Sequence, residues 1–134
     1  MNTLLDIILR LLLAAALGAG IGYQRERANK PAGLRTHMLI SLGSALFTVI
    51  SIFGFGDGVD PSRVAAGVVT GIGFIGAGVI LRGVRSEHVV GLTTAASIWA
   101  VAAIGMAAGV GMYLIATIVA VIAVLVLMIP TVKG

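Results

Sequence analysis

Charged side chains interrupt this chain at only a few places, and between them the residues are almost uniformly apolar. The longest uncharged run extends from His88 to Val132. A bilayer's hydrocarbon is crossed by roughly 20 helical residues, so that run holds two helices back to back. Three further apolar stretches precede it. The pattern predicts five membrane-spanning helices, at about 4–22, 36–53, 61–81, 92–108 and 111–130. The first must include Arg10, because the apolar stretch after it is too short to cross alone. Asp6 and Arg10 are four residues apart, on one helical face, and are expected to pair. Asp60-Pro61 supplies an aspartate N-cap and a proline at the first helical position of the third span. A cleaved signal peptide is the competing reading of the N-terminus. The acid at position 6 and the basic loop that follows favour a retained first helix instead.

Orientation follows from the connecting segments. Tyr23 to Thr36 carries Arg25, Arg27, Lys30 and Arg35 against Glu26 alone, and Arg82 to Gly91 carries Arg82 and Arg85 against Glu87. Gly54 to Ser62 carries Asp57 and Asp60 and no base. The positive-inside rule puts the first two segments in the cytoplasm, which leaves the N-terminus outside and Lys133 inside.

Composition narrows the function classes. With 59% hydrophobic residues, 10% charged residues and a mean hydropathy of +1.14, the chain has no room for a soluble catalytic domain. The 134 residues accommodate a single membrane domain. The absence of cysteine excludes disulfides, iron–sulfur clusters and thiolate metal sites. A net charge of +4 could suggest nucleic acid, but the basic residues sit in short loops, where they read as topology signals and contacts to anionic lipid.

An internal repeat is visible. Shifting Gly18–His37 by 58 positions lays it on Gly76–Ala95 without a gap, with Arg27 on Arg85 and Gly33-Leu34-Arg35-Thr36 on Gly91-Leu92-Thr93-Thr94. Helices one and two are therefore expected to resemble helices three and four about an axis along the membrane normal.

Gly71-Ile72-Gly73-Phe74-Ile75-Gly76 matches the dinucleotide-binding fingerprint, which works only between a strand and a helix. Inside a membrane span its glycines serve packing instead. Gly67 and Gly71 are four apart, as are Gly18 and Gly22, and Gly105 and Gly109, a spacing that lets helix backbones approach closely. Gly67, Gly71, Gly73, Gly76 and Gly78 are thus expected to pack helices, within the chain or in a homodimer.

The polar residues near the spans are the remaining candidates. Arg63 opens the third span on a face shared with Gly67, Thr70, Gly71 and Gly78. A salt bridge to Asp6, Asp57 or Asp60 is one reading, and an outward-facing polar vestibule the other. Asp57 and Asp60 are candidate magnesium ligands, since hard cations take carboxylates and water, but Arg63 opposes a cation there and solvation of the loop is the favoured reading of the two acids. Thr36 or Thr94 can cap the helix that follows it, and with Arg35 nearby the exposed amides could receive an anion or an acidic partner. His37 reads as an interfacial residue, and Trp99 as a packing residue. Thr93 and Ser97 share a face on which they can bond neighbouring helices.

Taken together, several segments resemble the membrane domain of the MgtC/SapB family. They are Gln24-Arg25-Glu26, Lys30 to His37, Asp60 to Ala66, Gly71 to Gly78 and Gly91 to Trp99, distributed in the family's order over most of the chain. The resemblance implies a bacterial inner-membrane protein with five spans, associated with growth at low magnesium and with survival inside host cells. It also implies two functional readings: a regulator of other membrane proteins, the ATP synthase among them, or a magnesium transporter. Many relatives carry a cytoplasmic domain after the fifth helix, which this sequence, stopping at Gly134, is expected to lack. The expectation from the sequence is an all-α membrane protein, homodimeric or larger, that modulates partners. A divalent cation transporter or channel is the alternative. The span interiors hold no acid beyond their outer ends, and no nucleophile, base and orienter converge, so an enzyme is not expected. The functional polar candidates are Glu26, Arg35, Asp60, Arg63, Thr93, Thr94 and Ser97.

Overall fold

A computed structural model describes residues 3–83 and 91–130. The chain is all-helical: α1 (Thr3–Arg27), α2 (Leu34–Phe53), α3 (Ser62–Gly83), α4 (Leu92–Gly109) and α5 (Tyr113–Leu127). The loop residues Arg85, Glu87 and His88, and Lys133, lie outside the described residues. The first four helices are long and apolar enough to cross a membrane, while α5 has 15 residues. Helix α1 runs past its expected end because Arg25 and Arg27 fall in its last turn, at the negative end of the helix dipole. It stops where Asn29 turns left-handed at φ 58°. Helix α2 begins two residues earlier than expected. Thr36 does not cap it; Glu26 reaches across from α1 and accepts the Leu34 N–H at 3.2 Å.

Helix α4 is central and touches each of the other four, whereas α3 packs mainly on α4 and lightly on α2. The core is built of small residues. Ala14, Ala45, Ala108, Ala116 and Ala120 are buried with Ile21, Val101 and Ile104, while Phe74, Leu12 and Trp99 point outward. Trp99 is therefore a surface residue and not the packing residue expected. This inversion suits a membrane: with lipid as apolar as leucine, helices associate through close backbone approach.

Two of the three glycine pairs make that approach. A Cβ at Gly18 would stand 2.7 Å from the His37 carbonyl oxygen, and one at Gly22 would stand 2.7 Å from Leu34 Cα. Gly109 lies as tightly on Ala45 and Thr48, with 2.8 Å to the Ala45 carbonyl oxygen. Gly105 lies against the Ser41 backbone. The third pair differs. Gly67, Gly71, Gly73 and Gly78 face open space among the described residues, so the packing expected of them is not made within the chain. Gly76 alone in that set has a neighbour, Ala95, at 3.6 Å from its would-be Cβ. That contact stands 58 positions from the one between Gly18 and His37, the offset of the sequence repeat.

The end of the bundle opposite the α1–α2 connection is fastened by the pair foreseen from spacing. Arg10 donates to Asp6 at 2.8 Å and 3.1 Å, and to the Gly109 carbonyl at 2.8 Å. Tyr113 donates to the other Asp6 oxygen at 2.5 Å, and the guanidinium lies 5.3 Å from the Phe53 ring centre. Gly111 turns at φ 90° beside this guanidinium, where a side chain would be both strained and obstructed.

Candidate functional site

The inward face of α2 is a stripe of polar side chains, His37, Ser41, Ser44, Thr48 and Ser51, spaced alternately four and three residues apart. In hydrocarbon such groups need internal partners. Ser41 donates to the Ala14 carbonyl of α1 at 2.7 Å, Thr48 to the Ser44 carbonyl at 2.7 Å, and Ser51 to the Pro61 carbonyl at 2.8 Å. Helix α1 brings Arg25 to the top of this stripe, in line with buried Gly18, Ile21 and Gly22. Helix α4 brings Thr94 and Ser97.

These residues form one buried cluster where the end of α1 meets the beginnings of α2 and α4. Arg25, 3% exposed, donates from Nη2 to Thr94 Oγ1 at 2.5 Å. His37 is fully buried, with Nδ1 2.9 Å from the Gly33 carbonyl oxygen and Nε2 2.9 Å from Ser97 Oγ. A carbonyl only accepts, so Nδ1 carries a hydrogen. Ser97 Oγ is also 2.7 Å from the Thr94 carbonyl. Its single hydrogen serves either that carbonyl or His37 Nε2, so the network accommodates both protonation states of the ring. Arg25 Nε has no partner among the described residues. Nearby, Gln24 Nε2 donates to the Leu127 carbonyl at 3.3 Å and ties α1 to the end of α5.

The sequence-derived candidates divide accordingly. Thr94 and Ser97 belong to the buried cluster; Thr93, one residue away, is exposed, so the inward face of α4 is Thr94–Ser97 and not Thr93–Ser97. Thr94 caps nothing: α4 starts at Leu92 after the left-handed Gly91, and the threonine is spent on Arg25. Glu26 and Arg35 are exposed at the same end as the cluster, on either side of the α1–α2 connection. Asp57, Asp60 and Arg63 are exposed at the opposite end. Among the described residues the one ion pair is Asp6–Arg10, so the expected salt bridge to Arg63 is not formed there. Arg25 and His37 are the residues whose part the sequence reading missed. The available signal was the polar stripe of α2 and the placement of Arg25 one turn beyond Gly22.

Asp60 bonds the start of α3 from one residue further back than expected: the helix begins at Ser62, so Pro61 precedes it and does not occupy its first position. Asp60 Oδ1 accepts the Ser62 N–H at 2.9 Å and the Ser62 hydroxyl at 2.7 Å, and these bonds hold its carboxyl below the usual carboxylate range. Because the folded-state value is the lower one, their contribution is complete above the ordinary value of about 3.9 and is lost as pH falls through the folded one. The protection of the Ser62 amide, measured as its exchange rate relative to the intrinsic rate at each pH, is expected to fall on acidification as that bond is lost. Asp60→Asn should abolish that pH dependence, and an unchanged profile in the variant would remove Asp60 from this role.

No group of three or more His, Cys, Asp or Glu is placed to hold a metal among the described residues. The buried cluster presents a guanidinium and hydroxyls whose lone pairs and hydrogens are largely engaged, a set that opposes a divalent cation. Its chemistry is that of a clamp: it fixes the ends of three helices and, with them, the exposed basic surface of Arg27, Lys30 and Arg35.

A family model described as the MgtC family matches residues 11–132. The chain is 57% identical over 115 residues to the "Putative magnesium transporter YhiD" of Escherichia coli (strain K12), covering 81% of this chain and 53% of that protein. It is 44% identical over 116 residues to Protein SapB of Bacillus subtilis (strain 168), with 81% and 49% covered. Protein MgtC of Salmonella typhimurium (strain LT2) is 46% identical over 106 residues, with 79% and 44% covered. The chain thus spans about half the length of these relatives. No solved structure matches it.

Proposed function

The chain belongs to the MgtC family, and from that premise we propose that it is a bacterial inner-membrane protein that modulates membrane partners and acts where magnesium is limiting. The observation that carries this reading is the character of the buried charge. Among the described residues the most deeply buried ionic group is the Arg25 guanidinium, 3% exposed, and the polar stripe beside it is made of hydroxyls and an imidazole. No carboxylate among the described residues pairs with it, so a divalent cation passing this cluster would meet an uncompensated guanidinium. The basic residues Arg27, Lys30 and Arg35 stand at the same end, exposed and rigidly mounted, which suits recognition of an acidic segment of another membrane protein. Their separation from Asp57 and Asp60 at the other end supports the N-out orientation.

Transport of magnesium is the second reading, favoured by the name of the relative from Escherichia coli. Asp57 and Asp60 would be its entry ligands. Purified chain in sealed proteoliposomes separates the two. Modulation predicts no magnesium entry above empty vesicles, and an Arg35→Ala variant that is folded but loses co-purifying membrane partners. Saturable entry abolished by Asp60→Asn would overturn it in favour of transport.

A further inference from the structure

Helices α2 and α3 enclose an open groove of about 600 Å³, lined by apolar residues and by Gly43, Gly67 and Gly71. A Cβ at any of these three glycines would meet nothing within 4 Å among the described residues. Elsewhere on α2 the hydroxyls mark where neighbours seat. Gly18 and Gly105 lie on Ser41, Gly109 lies on Thr48, and Ser41 and Ser51 donate to carbonyls of adjoining elements. Ser44 breaks the rule. It lines the groove, is 4% exposed, and its hydroxyl makes no hydrogen bond among the described residues. An acyl chain offers that hydroxyl no acceptor, whereas a closely approaching helix presents backbone carbonyls.

The charges at the mouth of the groove identify the helix. Arg63, Gly67 and Gly71 succeed one another at four-residue intervals, so the cation stands at the end of the glycine strip. Arg63 is exposed and has no ion pair among the described residues. Asp57 and Asp60 precede it, equally exposed, with Asp60 held as the carboxylate by Ser62. A surface carrying both members of an unformed ion pair beside a small-residue strip is complementary to itself. Two copies also insert with the same orientation, which brings these ends to the same side of the membrane.

We infer that two copies of this chain associate by a two-fold contact in which α3 of each lies in the α2–α3 groove of the other. Gly67 and Gly71 pass against their counterparts, Ser44 donates to a carbonyl of the incoming helix, and Arg63 meets the partner's Asp57–Asp60 loop. This contact is independent of whether the protein modulates partners or carries an ion.

The chain has no cysteine, so single cysteines report the contact cleanly. In native-like vesicles at low protein density, Gly71→Cys is expected to form disulfide-linked dimers on mild oxidation, and Leu12→Cys, outward on α1, is not. Gly71→Leu has open space within its own chain and should leave the thermal melt unchanged while weakening dimerisation about tenfold or more. Arg63→Glu should weaken it too, and Arg63→Glu with Asp57→Lys should restore it. A wild-type chain that is monomeric in the bilayer, with or without lipid retained in the groove, would overturn the assignment. A dimer indifferent to Gly71→Leu or cross-linked through position 12 would do so as well.

Discussion

Replacing Gly105 with alanine will destabilise the bundle, although alanine is the better helix former. The new Cβ would overlap the Ser41 carbonyl oxygen and stand 2.9 Å from both the carbonyl carbon and Cα of that residue. These are backbone atoms at the middle of α2, and they cannot swing aside as a side chain could. Helices α2 and α4 must separate, which also lifts Gly109 from Ala45 and Thr48. Overpacking of this kind costs roughly 1–3 kcal/mol, against about 1 kcal/mol of helix propensity gained. Gly105→Val, which adds two more carbons and a stiff β-branch, is expected to abolish the folded state. Gly20→Ala is the control: its site is exposed and open, so it should be neutral or slightly stabilising. Thermal unfolding in a mild detergent reads all three. Equal melting for Gly105→Ala and Gly20→Ala would disprove the tight α2–α4 contact.

Truncating His37 to alanine is expected to be as damaging by a different route. The ring is fully buried, and its removal leaves a cavity between α1, α2 and α4 with two polar groups stripped of a partner, the Gly33 carbonyl and the Ser97 hydroxyl. Comparable large-to-alanine changes in cores cost about 2–5 kcal/mol. The Gly33 carbonyl keeps the His37 backbone N–H at 3.2 Å, which limits the loss on that side. His37→Gln retains a polar group of similar reach and should recover part of the stability. The ends of α1, α2 and α4 should become more accessible to amide exchange in the alanine variant, while the Asp6–Arg10–Tyr113 end stays protected. Uniform loss at both ends would mean that the cluster does not act as a local clamp.

What the sequence made legible was local. The five helices were readable because long apolar runs between charged segments set their number and order, although α1 runs on to Arg27 and α5 has only 15 residues against the 20 expected. The Asp6–Arg10 pair and the bond of Asp60 to the start of α3 were readable because each joins residues within one helical turn. The buried cluster was not, since Arg25 meets Thr94 across 69 positions and His37 meets Ser97 across 60. A charge near a span end also looks the same in sequence whether it faces lipid headgroups or the bundle. The glycines show the same limit. Gly67–Gly71 and Gly105–Gly109 have identical spacing, yet one pair is buried against α2 and the other opens on a groove. Spacing tells which face is flat, and only the fold tells what lies opposite.

The peripheral place of α3 bears on how the chain is made. Synthesis delivers the helices in order, and α1 with α2 can close at once through Gly18, Gly22 and the Glu26 bond to Leu34. Helix α3 emerges next, when its main neighbour, α4, has not yet been translated. It must therefore enter the lipid as an almost free helix, held by little more than its loop, and dock only when the following segment arrives. Docking of α3 thus follows the order of the contacts and not the order of synthesis, since its main seat exists only once α4 is in place.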